Sequence, residues 1–259
     1  MGAAIWSTPV DTMLEYPLSS FLRFCENHGL LQIRDRPEWR TVVGGSREYI
    51  KCLTKDYHHE IQTNRAVEQV WSDASGAYIK DRNGDVSRFD QVVMASHADQ
   101  TLNMLRSPSA DETKLLGTFA YQPNKAILHT DPSLMPKRKG AWSSWNYLSA
   151  RDNGQDSVCV TYWMNKLQNL NVDTDYFVTL NPSKLPNEDT ILRSFIYHHP
   201  VFDHHAMAAQ KRLWNLQGKQ RLWFCGSYFG YGFHEDGLQS GLAVAEALGG
   251  ATRPWSVES

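Results

Sequence analysis

The residues best suited to chemistry lie near the C-terminus of the sequence. In RLWFCGSYFGYGFHEDGLQSGLAVAEALGG, residues 221–250, the triplet Cys225-Gly226-Ser227 opens a loop of glycines and aromatics. Glu235-Asp236-Gly237-Leu238 follows, with Gly241 four residues beyond Gly237. Two adjacent carboxylates can serve as acid and base, or can cap a helix and orient hydroxyl groups of a ligand. Glycines at i and i+4 bare one helix face, so that another backbone or a flat ligand can come very close.

Other candidate groups are weaker. His58-His59, His198-His199 and His204-His205, the last beside Asp203, are residue types that bind metals. Neighbouring histidines point apart on a strand, however, and no His-x-x-x-His spacing occurs. A polar turn after Pro200 is the better reading, and no metal is expected. No Gly-x-Ser-x-Gly elbow supports nucleophilic catalysis. Cys25, Cys52, Cys159 and Cys225 include no Cys-x-x-Cys pair, so reduced, mostly buried thiols are expected.

The elements that must position the C-terminal group are a strand and a helix. Leu222–Phe224 is a short apolar run of buried-strand type. Asp236 stands where an N-cap belongs, ahead of Leu238, Leu242, Ala245 and Leu248 at helical spacing, with Gly249-Gly250 as the stop. A strand, a glycine loop and a helix N-terminus together suit an electron-rich or anionic group. An ordinary strand–helix unit using glycine for packing has the same spacing.

Upstream, Leu18, Phe21, Leu22 and Cys25 have helical spacing, stopped by Asn27-His28-Gly29, and Leu30–Ile33 reads as a short strand. Val42-Val43-Gly44-Gly45-Ser46 leads into a helix capped by Ser46 with Tyr49, Ile50 and Leu53 inward. Strands follow at 67–71, 77–80, 86–89 and 91–95, the last buried on both faces. Asn83-Gly84 predicts a hairpin through a type I′ turn. A helix is predicted over 97–105. Residues 126–129, 158–163, 177–180 and 195–198 predict a mostly antiparallel sheet, with turns at Asp131-Pro132, Asp152-Asn153-Gly154 and Asn181-Pro182. A helix over 207–216 precedes the C-terminal strand.

The phrases HGLLQI, WRTVVGGSREY, NKAILHTD, SSWNYL, VTYWMNKLQ, VTLNP and GFHEDGLQSGL carry a resemblance to the flavin-containing amine oxidase superfamily. The form of the last is similar to bacterial NAD/FAD-binding, amine-oxidase-like proteins. Related sequence also precedes the methyltransferase part of plant cyclopropane fatty acid synthases. The resemblance implies FAD as cofactor, contacted by Gly226, Ser227, Glu235, Asp236, Gly237, Leu238 and Gly241, with Val67 presenting its backbone to adenine. Ser227 stands where the superfamily usually has an acidic residue, which departs from the pattern. The resemblance further implies that Lys125 holds a water near the reactive flavin nitrogen, although a lysine at a strand edge needs no such role. Trp142, Trp145, Tyr147, Tyr231 and Phe233 would wall a substrate cavity, or serve as ordinary core aromatics.

The implied fold class is α/β: an incomplete Rossmann-like flavin domain interleaved with an α+β substrate domain built on the antiparallel sheet. Residues 1–41 and 107–218 are assigned to the substrate domain, 42–106 and 219–251 to the flavin domain, and 252–259 to a tail. Ala3-Ala4-Ile5-Trp6-Ser7 reads like the inside of a domain, and the Gly-x-Gly-x-x-Gly fingerprint is absent, so the chain reads as the C-terminal portion of a longer protein. The expected activity is hydride transfer from a C–N or C–C bond of a small or lipid-like substrate to FAD, with a functional link to cyclopropane fatty acid synthase-type enzymes. The alternative is a non-catalytic flavoprotein module, a scaffold for a lipid-modifying partner. A net charge of −2 and 21% charged residues exclude a basic nucleic-acid surface. No run reaches the length of a membrane span and no leader pattern is present, so the expected location is cytoplasmic.

Overall fold

The computed structural model describes residues 2, 13, 14, 16–35, 37–152, 155–250 and 252–255. The Ala3–Ser7 phrase, the Asn153-Gly154 part of one expected turn and the last four residues of the expected tail lie outside the described residues. In chain order the elements begin with α1 (Leu18–Asn27), α2 (Arg47–Thr54), β1 (Val67–Ser72), β2 (Ala77–Asp81), β3 (Val86–Phe89) and β4 (Val92–Met94). Next come α3 (Ala98–Met104), α4 (Ala110–Leu116), β5 (Tyr121–His129), β6 (Trp145–Asp152), β7 (Gln155–Trp163) and α5 (Met164–Leu167). The series ends with β8 (Phe177–Leu180), β9 (Ile191–Pro200), α6 (His204–Leu213), β10 (Leu222–Phe224) and α7 (His234–Ala247). The chain divides into two compact units, each made of two segments: Met1–Ile61 with Gln122–His199, and Gln62–Tyr121 with Pro200–Ser259.

The first unit is built on a five-stranded sheet in the order β6-β7-β8-β5-β9. The pairs β6/β7, β7/β8 and β5/β8 are antiparallel, as expected. β6, which pairs with β7 along Trp145–Asp152, is a strand beyond the four expected in this sheet from sequence. A buried polar chain crosses the sheet. The His129 Nε2 lies 2.7 Å from Thr179 Oγ1, which lies 2.9 Å from Thr161 Oγ1, and all three residues are fully buried. Asp131 N–H donates to His129 Nδ1 at 3.2 Å, so the ring is neutral with its proton on Nε2. Burial pushes the His129 pKa down, against the opposing pull of Asp131.

The helices of this unit are less buried than their spacing predicts. α1 ends in a Schellman motif: Leu30 N–H donates to Cys25 O at 2.8 Å, Gly29 N–H donates to Glu26 O at 3.0 Å, and Gly29 has φ +62°. Of the spaced quartet only Cys25 is buried, joined by Phe24. The expected strand at Leu30–Ile33 is a set of turns, because Gln32 N–H bonds back to Gly29 O instead of to a neighbouring strand. Ser46 does not cap α2. Its own φ/ψ of −58°/−25° is helical, and its side chain accepts no bond there. Tyr49, Ile50 and Leu53 are exposed rather than inward.

The second unit holds an antiparallel sheet in the order β1-β2-β3 and a parallel pair, β4 with β10. The β2–β3 hairpin forms as predicted, but through a different turn. Gly84 is left-handed at φ +93° while Asn83 is not, Gly84 N–H bonds Asp81 O, and Asp81 N–H bonds Asp85 O. This is a three-residue loop with a glycine bulge, not a type I′ turn. Asp81 anchors it: burial raises its pKa, but the Arg65 ion pair at 2.6 Å and the amides of Asp85 and Asn83 outweigh that and hold its carboxyl low. Strand β4 is not buried on both faces. Val92 and Met94 are inside, whereas Val93 is 42% exposed, since alternation turns it to the opposite face of a two-stranded sheet. α4 begins with a reciprocal Ser109–Glu112 capping box.

Candidate functional site

The turn after β10 is held by side chains from α6, from the segment that follows α6 and from α7. Gln217 brackets Phe224, donating to its carbonyl at 2.7 Å and accepting its N–H at 2.8 Å. Gly226 then adopts φ +154°, ψ 170°, a region essentially restricted to glycine. A Cβ there would stand 2.7 Å from Tyr228 Cε1, so no side chain fits. Residues Ser227–Phe229 form one 3-10 turn, and Gln210 of α6 donates to the carbonyls of Tyr228 and Gly230 at 3.0 and 2.5 Å.

The helix that follows starts earlier than its sequence suggests. Phe233 is the N-cap residue, and His234 is the first helical residue. Asp236 is therefore not the N-cap. It stands at the third helical position, and its carboxylate reaches back to accept Phe233 N–H at 2.8 Å. Burial raises the Asp236 pKa, countered by the amides of Phe233, Tyr231 and Gly232. The reason for the shift is steric. With Gly230 in place the carboxylate packs directly on the loop, where any Cβ at 230 would collide with it.

The buried face of α7 is also not the leucine series. Ser240 and Val244 are buried, whereas Leu238 and Leu248 are exposed. The helix meets the turn through the hydroxyl of buried Ser240, with Gly237 in the preceding turn. The Ser240 hydroxyl accepts Gly226 N–H at 3.0 Å and lies 3.0 Å from Gly237 O and 3.2 Å from Gly226 O. Beside this tie the helix surface is bare. A Cβ on Gly237 would meet only Ser227 N, at 3.8 Å, and a Cβ on Gly241 would meet nothing within 4 Å. Gly226, Ser227 and Gly237 are thus brought together, with Gly241 one turn further along the same helix, whereas the Asp236 carboxylate is turned to Gly230 and Phe233. Glu235 is exposed and accepts from Gln239 at 2.5 Å, and exposed Leu238 points away from the packed face.

Two buried groups stand beside the turn, one of them a cysteine expected to be a buried thiol. Tyr228 is 1% exposed, its phenol has no hydrogen-bond partner among the described residues, and burial pushes its pKa up. Cys225 is buried too, with its thiol pushed up by desolvation. Tyr121, which accepts Ala98 N–H at 3.0 Å, is pushed up to about 12 by burial. Ser240 carried one signal in sequence, a small polar residue on the Gly237–Gly241 face. Gln210 carried none.

The remaining predicted residues lie elsewhere. Val67, in the second unit, opens β1 at a bulge opposite Asp81. Tyr231 and Phe233 are half-buried in the loop before α7. Lys125, in the first unit, is exposed on β5, its backbone paired with Asn181 at 2.8 and 3.0 Å. Trp142 packs edge-on against Trp163 and Phe177 and donates to Pro136 O at 2.7 Å, so it is part of the packing of that unit. Trp145 and Tyr147 are exposed on β6. Among the described residues no group of three His, Cys, Asp or Glu could hold a metal ion. Asp203 instead caps α6, accepting Ala206 N–H at 2.8 Å. No helix of the described residues is long and apolar enough to cross a membrane.

Known proteins share this architecture. Solved structures that match include a CLA-producing fatty acid isomerase from P. acnes, at 10% identity and a TM-score of 0.54 over 78% of this chain and 52% of that one. A triple mutant of putrescine oxidase redesigned in cofactor binding matches at 12% identity and a TM-score of 0.55 over 80% and 53%. Reduced UDP-galactopyranose mutase matches at 13% identity and a TM-score of 0.51 over 81% and 53%. The chain therefore has the α/β fold of FAD-binding amine oxidases and spans about half the length of these structures. No curated protein matches it in sequence. The family model for flavin containing amine oxidoreductases matches residues 18–169, more than half of the sequence, and the chain belongs to that family.

Proposed function

We propose that this chain is part of an FAD-dependent oxidoreductase, with the unit of Gln62–Tyr121 and Pro200–Ser259 contacting the flavin and the other unit contributing to substrate binding. The observation that carries the reading is the bare ledge at Gly237 and Gly241, beside the Ser227 backbone nitrogen and next to the first turn of a 14-residue helix. Such a ledge fits a flat ring system: no Cβ stands on it, and the turn beneath is held by side-chain hydrogen bonds. When bound, FAD supplies the two-electron acceptor for a hydride from a C–N or C–C bond. The chain's own contribution is orientation and charge. Ser227 and the positive end of the α7 dipole favour an electron-rich edge, and electron density gained there is stabilised without reorganisation. Val67 would present its backbone to the adenine. Lys125 would hold a water by the reacting atoms, on family resemblance alone.

A lipid-like substrate is the preferred class, supported by the fatty acid isomerase among the matching structures and by the resemblance to plant cyclopropane fatty acid synthases. A cytoplasmic location accompanies this reading. The alternative is a module that binds no flavin and acts as a scaffold for a lipid-modifying partner. Titrating FAD into isotope-labelled protein separates the two. Flavin contact moves the amide resonances of Ser227, Gly237 and Gly241, whereas no shift at millimolar FAD refutes it for this chain.

A further inference from the structure

We propose that Ser240 is a positioning residue whose hydroxyl locks the Gly226–Ser227 backbone to the glycine ledge and thereby sets its geometry for the flavin. The inference rests on the flavin reading above. A serine within a helix often bonds the carbonyl three residues back, as Ser240 does to Gly237 at 3.0 Å. That bond alone would have no consequence beyond the helix. The same oxygen also accepts Gly226 N–H at 3.0 Å, a bond spanning fourteen residues between strand end and helix.

Three features make this tie specific. Gly226 lies in a backbone region few residues adopt, and Gln210 and Gln217 bond the residues on either side of it, whereas the Ser240 hydroxyl is the side-chain group that bonds Gly226 itself. Ser240 is only 7% exposed, so water does not readily replace its hydroxyl, and its loss leaves the half-buried Gly226 N–H without this partner. Its three oxygen and nitrogen partners, Gly226 N, Gly226 O and Gly237 O, belong to the two glycines that border the ledge. Ser240 itself is packed beneath the ledge and acts through them.

The test compares Ser240→Ala with Val244→Ala, a buried position one turn further along the same helix that touches neither glycine through a hydrogen bond. Amide hydrogen exchange, thermal unfolding and FAD titration by amide shifts are measured on the whole chain. In Ser240→Ala, Gly226 N–H exchanges at least about tenfold faster than in the parent, and half-saturation of the Gly237 and Gly241 shifts needs about tenfold more FAD. Val244→Ala lowers the melting temperature through its cavity and leaves both quantities within about twofold of the parent. The proposal is overturned if Ser240→Ala keeps Gly226 protection or FAD affinity within about twofold, or if Val244→Ala produces the same losses. A parent protein with no FAD shifts at all overturns the flavin reading, and the positioning role with it. Parent shifts unchanged by Ser240→Ala overturn the role of Ser240 alone.

Discussion

Gly237→Ala separates a packing glycine from a ligand-facing one, because the two readings predict opposite signs. The position lies in the first turns of α7 with ordinary helical backbone, and a Cβ there meets only Ser227 N at 3.8 Å. Alanine is better than glycine in a helix by about 0.8–1 kcal/mol, and no clash subtracts from this. The ligand-free variant should therefore be more stable by about 1 kcal/mol, raising the melting temperature by roughly 2–4 °C for a chain of this size. The same methyl group stands on the ledge. If a ring system must lie in contact there, overpacking of about 1–3 kcal/mol weakens FAD by roughly 5- to 150-fold. Valine should weaken it further while still leaving the fold intact. Calorimetry without ligand and FAD titration followed by Ser227 and Gly241 amide shifts read the two effects separately. A variant that is stabilised and keeps its FAD affinity within about twofold refutes the placement of flavin over Gly237. A destabilised variant refutes the open ledge.

Gly226→Ala should behave in the opposite way: with φ +154° and Tyr228 Cε1 at 2.7 Å, backbone strain and overpacking together cost about 2–5 kcal/mol in denaturant unfolding, and a loss under about 1 kcal/mol would contradict the geometry. His129 is held neutral by burial, its folded pKa below the unfolded one, so its contribution is present above the unfolded value near 6.5 and is lost as pH falls through the folded one. Stability should then decline as pH falls below about 6.5, by at most about 1.4 kcal/mol per pH unit from this group, and His129→Leu should flatten that decline. Glu246 is held below the usual carboxylate range by the hydrogen bonds and ion pair of Arg253, at 2.9 Å to each oxygen. The stabilisation is present above its unfolded pKa near 4.3 and is lost as pH falls through the folded one. Glu246→Ala should release the 252–255 segment at neutral pH, read as faster amide exchange of Arg253, whose N–H bonds Glu246 Oε1 at 2.8 Å, and unchanged exchange would argue against the clamp.

The sequence by itself determined what depends on neighbours along the chain. Asn83-Gly84 announced a hairpin, Gly29 and Gly249 terminated helices through positive φ, and apolar runs marked β4, β5, β7, β8 and β10. The phrase from Gly226 to Gly241 was legible as one unit for the same reason, its glycines standing close together along the chain, although only Gly226, Gly230 and Gly232 lie where a side chain does not fit. Tertiary structure decided which face of each element is covered. The leucine stripe of α7 predicted the wrong inward face, because the helix approaches its turn through the small residues Gly237 and Ser240, and contact distance outweighs hydrophobicity there. Asp236 looked like a cap by type, yet its carboxylate instead fills the space over Gly230 and reaches back to Phe233. Gln210 stands eighteen and twenty residues from its partners Tyr228 and Gly230, and Ser240 fourteen from Gly226, and no local periodicity reports a hydrogen bond that forms only after strand and helices have packed. The His129–Thr179–Thr161 chain is hidden for the same reason: its partners lie on three strands, and only their register makes them neighbours.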